Sequence, residues 1–303
     1  MRLCIVLLFL HIFCAINASV FAMNGTVDST FKRQHTIAWK VTGKQLQHPG
    51  YLIGTCHAVG KSFLDSIPAI RAILQQSRCL LTELYPSDNS DGVTTTTDIQ
   101  ALPLLDKRQY ALMDSFFKAT AGPTEGLDNP DVLHISVYDF IGGIREMLLR
   151  RSGTAAFAQM DRELYESFHA AAKATYALEK ATDLYFRPGD TVAAKALLDR
   201  YISTVSQWDE WDISNPQSDI AKFIKRYKTL QLDYQLSATE PTALSQQFSK
   251  TIANRNKNWL PKIEHYMQQQ PTVVAVGFYH LAFTTGLINL LRADGYNVTP
   301  VAL

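Results

Sequence analysis

The chain has 303 residues, of which 47% are hydrophobic and 19% are charged, and its formal net charge is +1 at pH 7. This composition is typical of a globular protein and argues against a disordered chain. The charges form no basic patch or stripe along the sequence, so we expect no nucleic-acid partner.

The first 22 residues have the pattern of a secretory signal peptide. Arg2 precedes an apolar stretch at residues 3–15, and small residues follow around Ala18 and Ala22. A membrane anchor is the alternative, but the apolar stretch is short for one. Since no later segment is apolar enough to span a bilayer, we expect cleavage near Met23, a periplasmic or secreted protein and no stable membrane insertion afterwards.

Two cysteines remain after the predicted cleavage, Cys56 and Cys79. An oxidising compartment permits a disulfide between them. Both follow or begin apolar, strand-like stretches, so buried free thiols are equally consistent with the sequence.

The first part of the mature chain predicts a strand, a helix and a strand. Residues 35–41 alternate like a strand, and residues 51–53 form a short apolar strand that ends at Gly54. Apolar residues at helical spacing follow within residues 67–74, and residues 79–82 form a buried strand that ends at Glu83. This order is typical of a parallel crossover unit.

The rest of the chain is mostly helical up to about residue 270. A short strand at residues 175–178, ending at Glu179, interrupts it, and residues 272–276 form a strongly apolar strand. A helix and a last strand at residues 296–301 follow. We therefore predict an α/β fold with a mainly parallel central sheet: a single domain over residues 23–303, with a large helical insertion at about residues 99–245.

One short pattern occurs twice. An apolar strand followed by Gly-x-x-His ends at His57 and again at His280. Ligand sites of open α/β sheets lie at the carboxyl ends of the strands, where Glu83 is also expected. Polar residues that merely cap strands are the alternative, but the repeat favours a functional site. Two histidines and a carboxylate are a common ligand set for a hydrolytic metal ion.

The same residues carry a family resemblance. Residues 39–83, with a tryptophan strand, Gly-Thr-x-His and a strand-end glutamate, resemble the opening of the TraB/GumN family, which includes the Tiki proteins. Arg255-Asn256, Trp259 and the second Gly-x-x-His resemble its ending. Met160-Asp161 and Leu178-Glu179 resemble its middle, so the resemblance extends from about residue 36 to the C-terminus.

The resemblance implies a fold related to erythromycin esterase and ChaN-like proteins. For the Tiki branch it also implies metal-dependent peptidase activity, whereas some members are thought to bind or block signalling peptides. His57, Glu83 and His280 match the family's catalytic set, and Arg255 matches an arginine that could hold a carboxylate or a substrate oxyanion.

Two further acids are secondary candidates for the site. Asp161 is equally consistent with a cap at the start of a helix. Glu179 could be a surface acid, but the apolar strand-like run before it favours the site. Two positions depart from the family pattern: Tyr85 stands where an acid is frequent, and Phe283 where glycine is usual. We expect Phe283 to narrow the cleft.

Together these features predict an exported metal-dependent hydrolase that cleaves a peptide bond. His57 and His280 would bind Mn, Co or Zn, and Glu83 would be either the third ligand or the general base. The alternative is a non-catalytic binding protein that sequesters a peptide or a small-molecule ligand in the same cleft.

Overall fold

A computed structural model describes residues 35–84, 99–151, 160–180, 189–207, 214–240 and 251–303. The predicted signal peptide and Tyr85 lie outside these ranges. The described residues divide into two compact units. A sheet unit contains residues 35–84, 160–180, 223–240 and 251–303, and a helical unit contains residues 99–151, 189–207 and 214–222.

The sheet unit is built on one six-stranded sheet with the order β4-β3-β5-β2-β1-β6. The pairings of β4 with β3, β3 with β5 and β5 with β2 are parallel, whereas β1 is antiparallel to both β2 and β6. The strands are β1 (Ala38–Thr42), β2 (Gly50–Thr55), β3 (Cys79–Thr82), β4 (Ala174–Ala177), β5 (Thr272–Gly277) and β6 (Asn297–Pro300).

The sheet departs from the simple crossover expected from the sequence, because β5 lies between β2 and β3. Every residue of β3 and β5 is buried, as is usual for central strands that are covered on both faces. Their apolar sequences, Cys-Leu-Leu-Thr and Thr-Val-Val-Ala-Val-Gly, suit that position. The late strand thus enters the middle of the sheet and places its own end beside the ends of two early strands.

The helices are α1 (Lys61–Asp65), α2 (Pro68–Gln76), α3 (Lys107–Ala121), α4 (Val137–Arg151), α5 (Met160–Ala170), α6 (Thr191–Ser206), α7 (Asp219–Lys228), α8 (Ile252–Gln269) and α9 (Leu287–Ala293). The start of α2 follows from its proline: Ile67 is extended, as a residue before proline prefers, and Pro68 fits the first helical position. The chain is therefore a mixed α/β protein.

The helical unit has its own apolar core, formed by α3, α4 and α6. Met113, Phe116, Phe140, Ile144 and Leu197 are among its buried residues. Not all of the predicted insertion at about residues 99–245 belongs to the helical unit, because residues 160–180 form α5 and β4 of the sheet unit. Among the described helices, none combines the length and the apolar character needed to cross a membrane.

The two remaining cysteines are both free thiols and both buried. Burial raises the pKa of Cys56 to about 12 and that of Cys79 to about 11. Of the two alternatives left open by the sequence, packed thiols are therefore the one observed, and neither thiol is a ready nucleophile.

Candidate functional site

Four polar side chains follow four neighbouring parallel strands. His57 comes two residues after β2, His280 three residues after β5, Glu83 directly after β3 and Glu179 two residues after β4. Thr55 pairs with Gly277, and the ladder between β3 and β4 continues past the strands through a bond from the Glu179 amide to the Glu83 carbonyl at 3.1 Å. All four residues therefore lie at the carboxyl edge of the sheet.

Arg255 of α8 links the two glutamates. Its side chain is fully buried; Nη2 donates to Glu83 Oε2 at 2.7 Å, and Nε donates to Glu179 Oε1 at 2.8 Å. Trp259, one turn further along α8, donates from Nε1 to Glu179 Oε2 at 3.2 Å. The guanidinium thus supplies the positive charge that two buried carboxylates need.

His280 is held in one tautomer by Asn256. The Asn256 amide nitrogen donates to the carbonyls of His280 and Thr285, at 3.1 and 2.9 Å, so its oxygen must face the imidazole. That oxygen lies 2.6 Å from His280 Nδ1, which therefore carries the proton. Nε2 keeps its lone pair and lies 3.2 Å from Arg255 Nη1 and 3.6 Å from Glu83 Oε2.

Burial and the neighbouring charges set the ionisation of these groups. Burial is the largest influence on His280 and, together with the charge of Arg255, lowers its pKa to about 3, so the imidazole is neutral at pH 7. Burial alone would raise the pKa of Glu83. The charge that His280 gains when it is protonated, the charge of Arg255 and the Gly277 amide, which donates to Oε1 at 2.8 Å, instead lower it to about 2. At pH 7, where the imidazole is neutral, Arg255 and the amide are what favour the ionised carboxylate.

The pKa of Glu179 is shifted in the opposite direction. Burial raises it, and the charge of Glu83 adds to that effect, whereas Arg255 works against both. The pKa of Arg255 is raised: burial would lower it, but the two carboxylates outweigh that. The two glutamates around one arginine are therefore not equivalent, and Glu83 is the more firmly ionised.

His57 and Asp161 form the most accessible part of the site. Nδ1 of His57 lies 2.6 Å from Oδ2 of Asp161, and the two side chains are 14% and 17% exposed. Asp161 is the second residue of α5. Its position at a helix start did not predict this contact with His57. The positive form of His57 also lowers the pKa of Glu83, which places the two within electrostatic range.

The sequence-predicted set is thus brought to one edge, but not as a finished metal site. Within the residues that the structure describes, no group of three or more His, Cys, Asp or Glu side chains is arranged to hold a metal ion. The guanidinium of Arg255 lies against both Glu83 Oε2 and His280 Nε2.

Sequence reasoning assigned no role to three groups that shape the site: Asn256, Trp259 and the Gly277 amide. Asn256 and Trp259 belong to the Arg255-Asn256 and Trp259 motif that carried the family resemblance. A spacing of four residues puts Trp259 on the same helix face as Arg255, whereas Asn256, the next residue, points to a different side of the helix. That spacing was the available signal, but it could not show what they touch.

Phe283 has a backbone conformation that suits the glycine usual at this position. Its φ is +66°, in the left-handed region that side chains disfavour. Its amide donates to the Tyr234 carbonyl at 2.8 Å, and its buried ring stacks on Tyr279. The packed aromatic ring thus occurs together with a strained backbone at Phe283. The expected narrowing of the cleft by Phe283 stays a prediction.

Comparison with known proteins gives one result that bears on identity. The TraB/PrgY/gumN family matches residues 37–300, which include both Gly-x-x-His motifs, Glu83, Asp161, Glu179 and Arg255. Searches among curated proteins and among solved structures find no match. Because the family match extends over most of the chain, this protein belongs to the TraB/PrgY/gumN family.

Proposed function

We propose that this protein is an exported metal-dependent hydrolase that cleaves a peptide bond. The observation that carries the proposal is the convergence of His57, Glu83, Glu179 and His280 at the ends of four adjacent parallel strands. Ionisable groups with strongly shifted pKa values are costly to bury, and they cluster at functional sites. A fold related to erythromycin esterase and ChaN-like proteins, with a mainly parallel sheet, is part of the same proposal.

The chemistry of the donor atoms fits a divalent ion. Asn256 directs the Nε2 lone pair of His280 into the site, Asp161 lies on the Nδ1 side of His57, and Glu83 is ionised at neutral pH. Carboxylate or amide partners on the second imidazole nitrogen are typical of metal-binding histidines. Glu83, Glu179 and Asp161 formally bring three negative charges against the one positive charge of Arg255, which favours a cation.

We assign the roles from these contacts. His57 and His280 would bind the ion, with Asp161 and Asn256 orienting them. The low pKa of Glu83 favours a ligand over a general base, because a base works best when its pKa lies near the working pH. When bound, the ion would lower the pKa of a water molecule and polarise the scissile carbonyl. Arg255 would then hold Glu83 and Glu179 in place or release Glu83 towards the ion.

A non-catalytic binding protein is the second candidate function, and the contacts of Arg255 favour it. The guanidinium contacts both Glu83 Oε2 and His280 Nε2, so an ion could use these atoms only if the guanidinium gave up those contacts. If Arg255 keeps them, the same edge of the sheet would bind a peptide or small ligand without cleaving it. An intact ligand recovered from the purified protein would support this alternative.

The test compares four variants for bound metal per chain and for cleavage of a diverse peptide library. We expect His57→Ala and His280→Ala to lose metal and activity together, because metal binding depends on its ligands cooperatively. If Glu83 is a ligand, Glu83→Gln loses both; if it is the base, Glu83→Gln keeps the metal and loses roughly 10²-fold in turnover. His265→Ala is the control, since His265 is exposed on α8 and contacts Gln269 and Tyr266.

The hydrolase proposal fails if both histidine variants keep a full metal content and the parent cleaves no peptide. Circular dichroism and the melting temperature of each variant must accompany the assay, because Glu83 and His280 are buried. A loss of activity counts only for a variant that remains folded at the assay temperature.

A further inference from the structure

Thr55 carries a buried hydroxyl that the site described above does not use. It is the last residue of β2, two residues before His57, and it is only 2% exposed. Its Oγ1 has no hydrogen-bond partner among the residues that the structure describes. An unsatisfied buried hydroxyl is costly, so such a group indicates a partner outside the protein chain, either water or a ligand.

The hydroxyl lies on the same side of the sheet as the side-chain position of Gly277. Thr55 and Gly277 are register partners on parallel strands, so their side-chain positions lie on the same face. Among the described residues other than its chain neighbours, a Cβ atom built on Gly277 would meet Glu83 Oε1 at 3.3 Å, a tight contact, and His280 Cδ2 at 3.9 Å. The position over Gly277 is thus bordered by a carboxylate oxygen and an imidazole edge, on the face that carries Thr55.

Gly54 shows that the opposite face of the strand end has different surroundings. A Cβ atom built on Gly54, the residue before Thr55, would meet the Leu281 side chain at 3.2 Å and Phe278 at 3.3 and 3.5 Å. That side of the strand end is packed with apolar groups. The two faces therefore differ in chemistry, and the polar one carries Thr55 and the Glu83 carboxylate.

We propose that the Thr55 hydroxyl and Glu83 Oε1 together hold a water molecule over Gly277, and that this is the water consumed in hydrolysis. The hydroxyl can donate to the water oxygen, and the carboxylate oxygen can accept a hydrogen bond from the water. The catalytic part rests on the proposed hydrolase function. In amide hydrolysis the water oxygen bonds to the carbonyl carbon and the C–N bond breaks. One water proton ends on the departing amine, and the other stays on the new acid.

The experiment uses Thr55→Val, which removes the hydroxyl and keeps the shape, with Thr55→Ser to restore it. Three quantities are measured on the full mature chain: the melting temperature, the water density over Gly277 in crystals, and peptide turnover. We expect Thr55→Val to melt at or above the wild-type temperature, because no bond within the protein is lost. We also expect it to lose the water and about 10²-fold in turnover, as a misplaced reactant does. Thr55→Ser should recover both.

Thr272→Val is the matched control at the other end of the sheet. Thr272 is a fully buried threonine at the start of β5, and its single hydroxyl proton can be donated to the carbonyls of Tyr266 and Gln270, which lie 3.1 and 2.9 Å from Oγ1. Its loss should lower the melting temperature and leave turnover intact, which is the reverse of the pattern expected for Thr55.

Each result decides one part of the proposal. A melting temperature that falls in Thr55→Val as it does in Thr272→Val, or wild-type crystals with no density between Thr55 and Glu83, overturns the water site. Full turnover in Thr55→Val overturns its catalytic role. If the water and stability results hold but the wild type cleaves no peptide, the water site stands, and the hydrolase function is what fails.

Discussion

Arg255 gives the sharpest test of how the site is held together, because one guanidinium serves two buried carboxylates. Removing one partner of a buried ion pair costs about 3–5 kcal/mol of the free energy of unfolding, since the other charge stays buried and uncompensated. Arg255→Met keeps much of the side-chain volume but leaves Glu83 and Glu179 without their shared cation. We therefore expect a loss in that range at pH 7, a large part of a typical domain's stability.

The loss should depend on pH with a definite sign. In the wild type the pKa of Glu83 falls from 4.5 to about 2 on folding, because charges and an amide outweigh burial. This contributes on the order of 3 kcal/mol that is fully present above pH 4.5 and is lost as the pH falls towards 2. Without Arg255, burial dominates and the folded pKa of Glu83 lies higher. The variant then loses stability as the pH rises, so the gap to wild type is wider at pH 7 than at pH 5.

Urea unfolding at pH 7 and pH 5 measures this gap. Arg292→Met is the control, because Arg292 is exposed and donates to the Val298 carbonyl, so its loss should cost about 1 kcal/mol at both pH values. Adding Glu179→Gln to Arg255→Met should recover part of the loss by removing one uncompensated charge. A loss below about 1 kcal/mol for Arg255→Met, or a gap that does not change with pH, would refute the reasoning.

Three further outcomes are expected. In metal-free buffer, His280→Gln should flatten the pH dependence of the free energy of unfolding between pH 6.5 and 5. Folding lowers the pKa of His280 from 6.5 to about 3, so the wild type has the full contribution of this residue above pH 6.5 and loses it on acidification. An unchanged slope in urea unfolding would contradict this. Phe283→Gly should relieve the positive φ but remove a buried ring, for a net loss of about 2–4 kcal/mol in urea unfolding, and a gain in stability would show that backbone strain dominates. N-terminal sequencing of the protein isolated from expressing cells should find a start near Met23; intact Met1 on membrane-bound protein would oppose cleavage.

Much of the sheet could be predicted because its strands carry strong local signals. The apolar stretches at residues 79–82 and 272–276 correspond to β3 and β5, and each Gly-x-x-His motif begins near the end of its strand. A buried strand needs a continuous apolar run on both faces, and that requirement is visible in the sequence. The position of β5 between β2 and β3 could not be predicted, because strand order depends on contacts between segments that are distant in the sequence.

The contacts inside the site were harder to predict than its members. His57 and Asp161 meet because α5 returns to the sheet unit from a distant part of the chain, and no local pattern reports that return. Asp161 alone is indistinguishable from a helix-start residue. Likewise, Arg255 was recognisable as a possible partner of a carboxylate, but its simultaneous contact with Glu83 and Glu179 requires the ends of β3 and β4 to lie side by side.

The strands and one helix have different roles in the site. The strands bring groups that can bind an ion or move a proton, and their positions follow from the shared edge of the sheet. One turn of α8 fixes those groups: Arg255 holds both glutamates, Asn256 sets the tautomer of His280, and Trp259 donates to Glu179. Because these three side chains are buried and bonded, they limit the orientations open to the strand-end groups. His57 and Asp161 are the least buried of these groups, so under the proposed function a substrate would reach the site from their side.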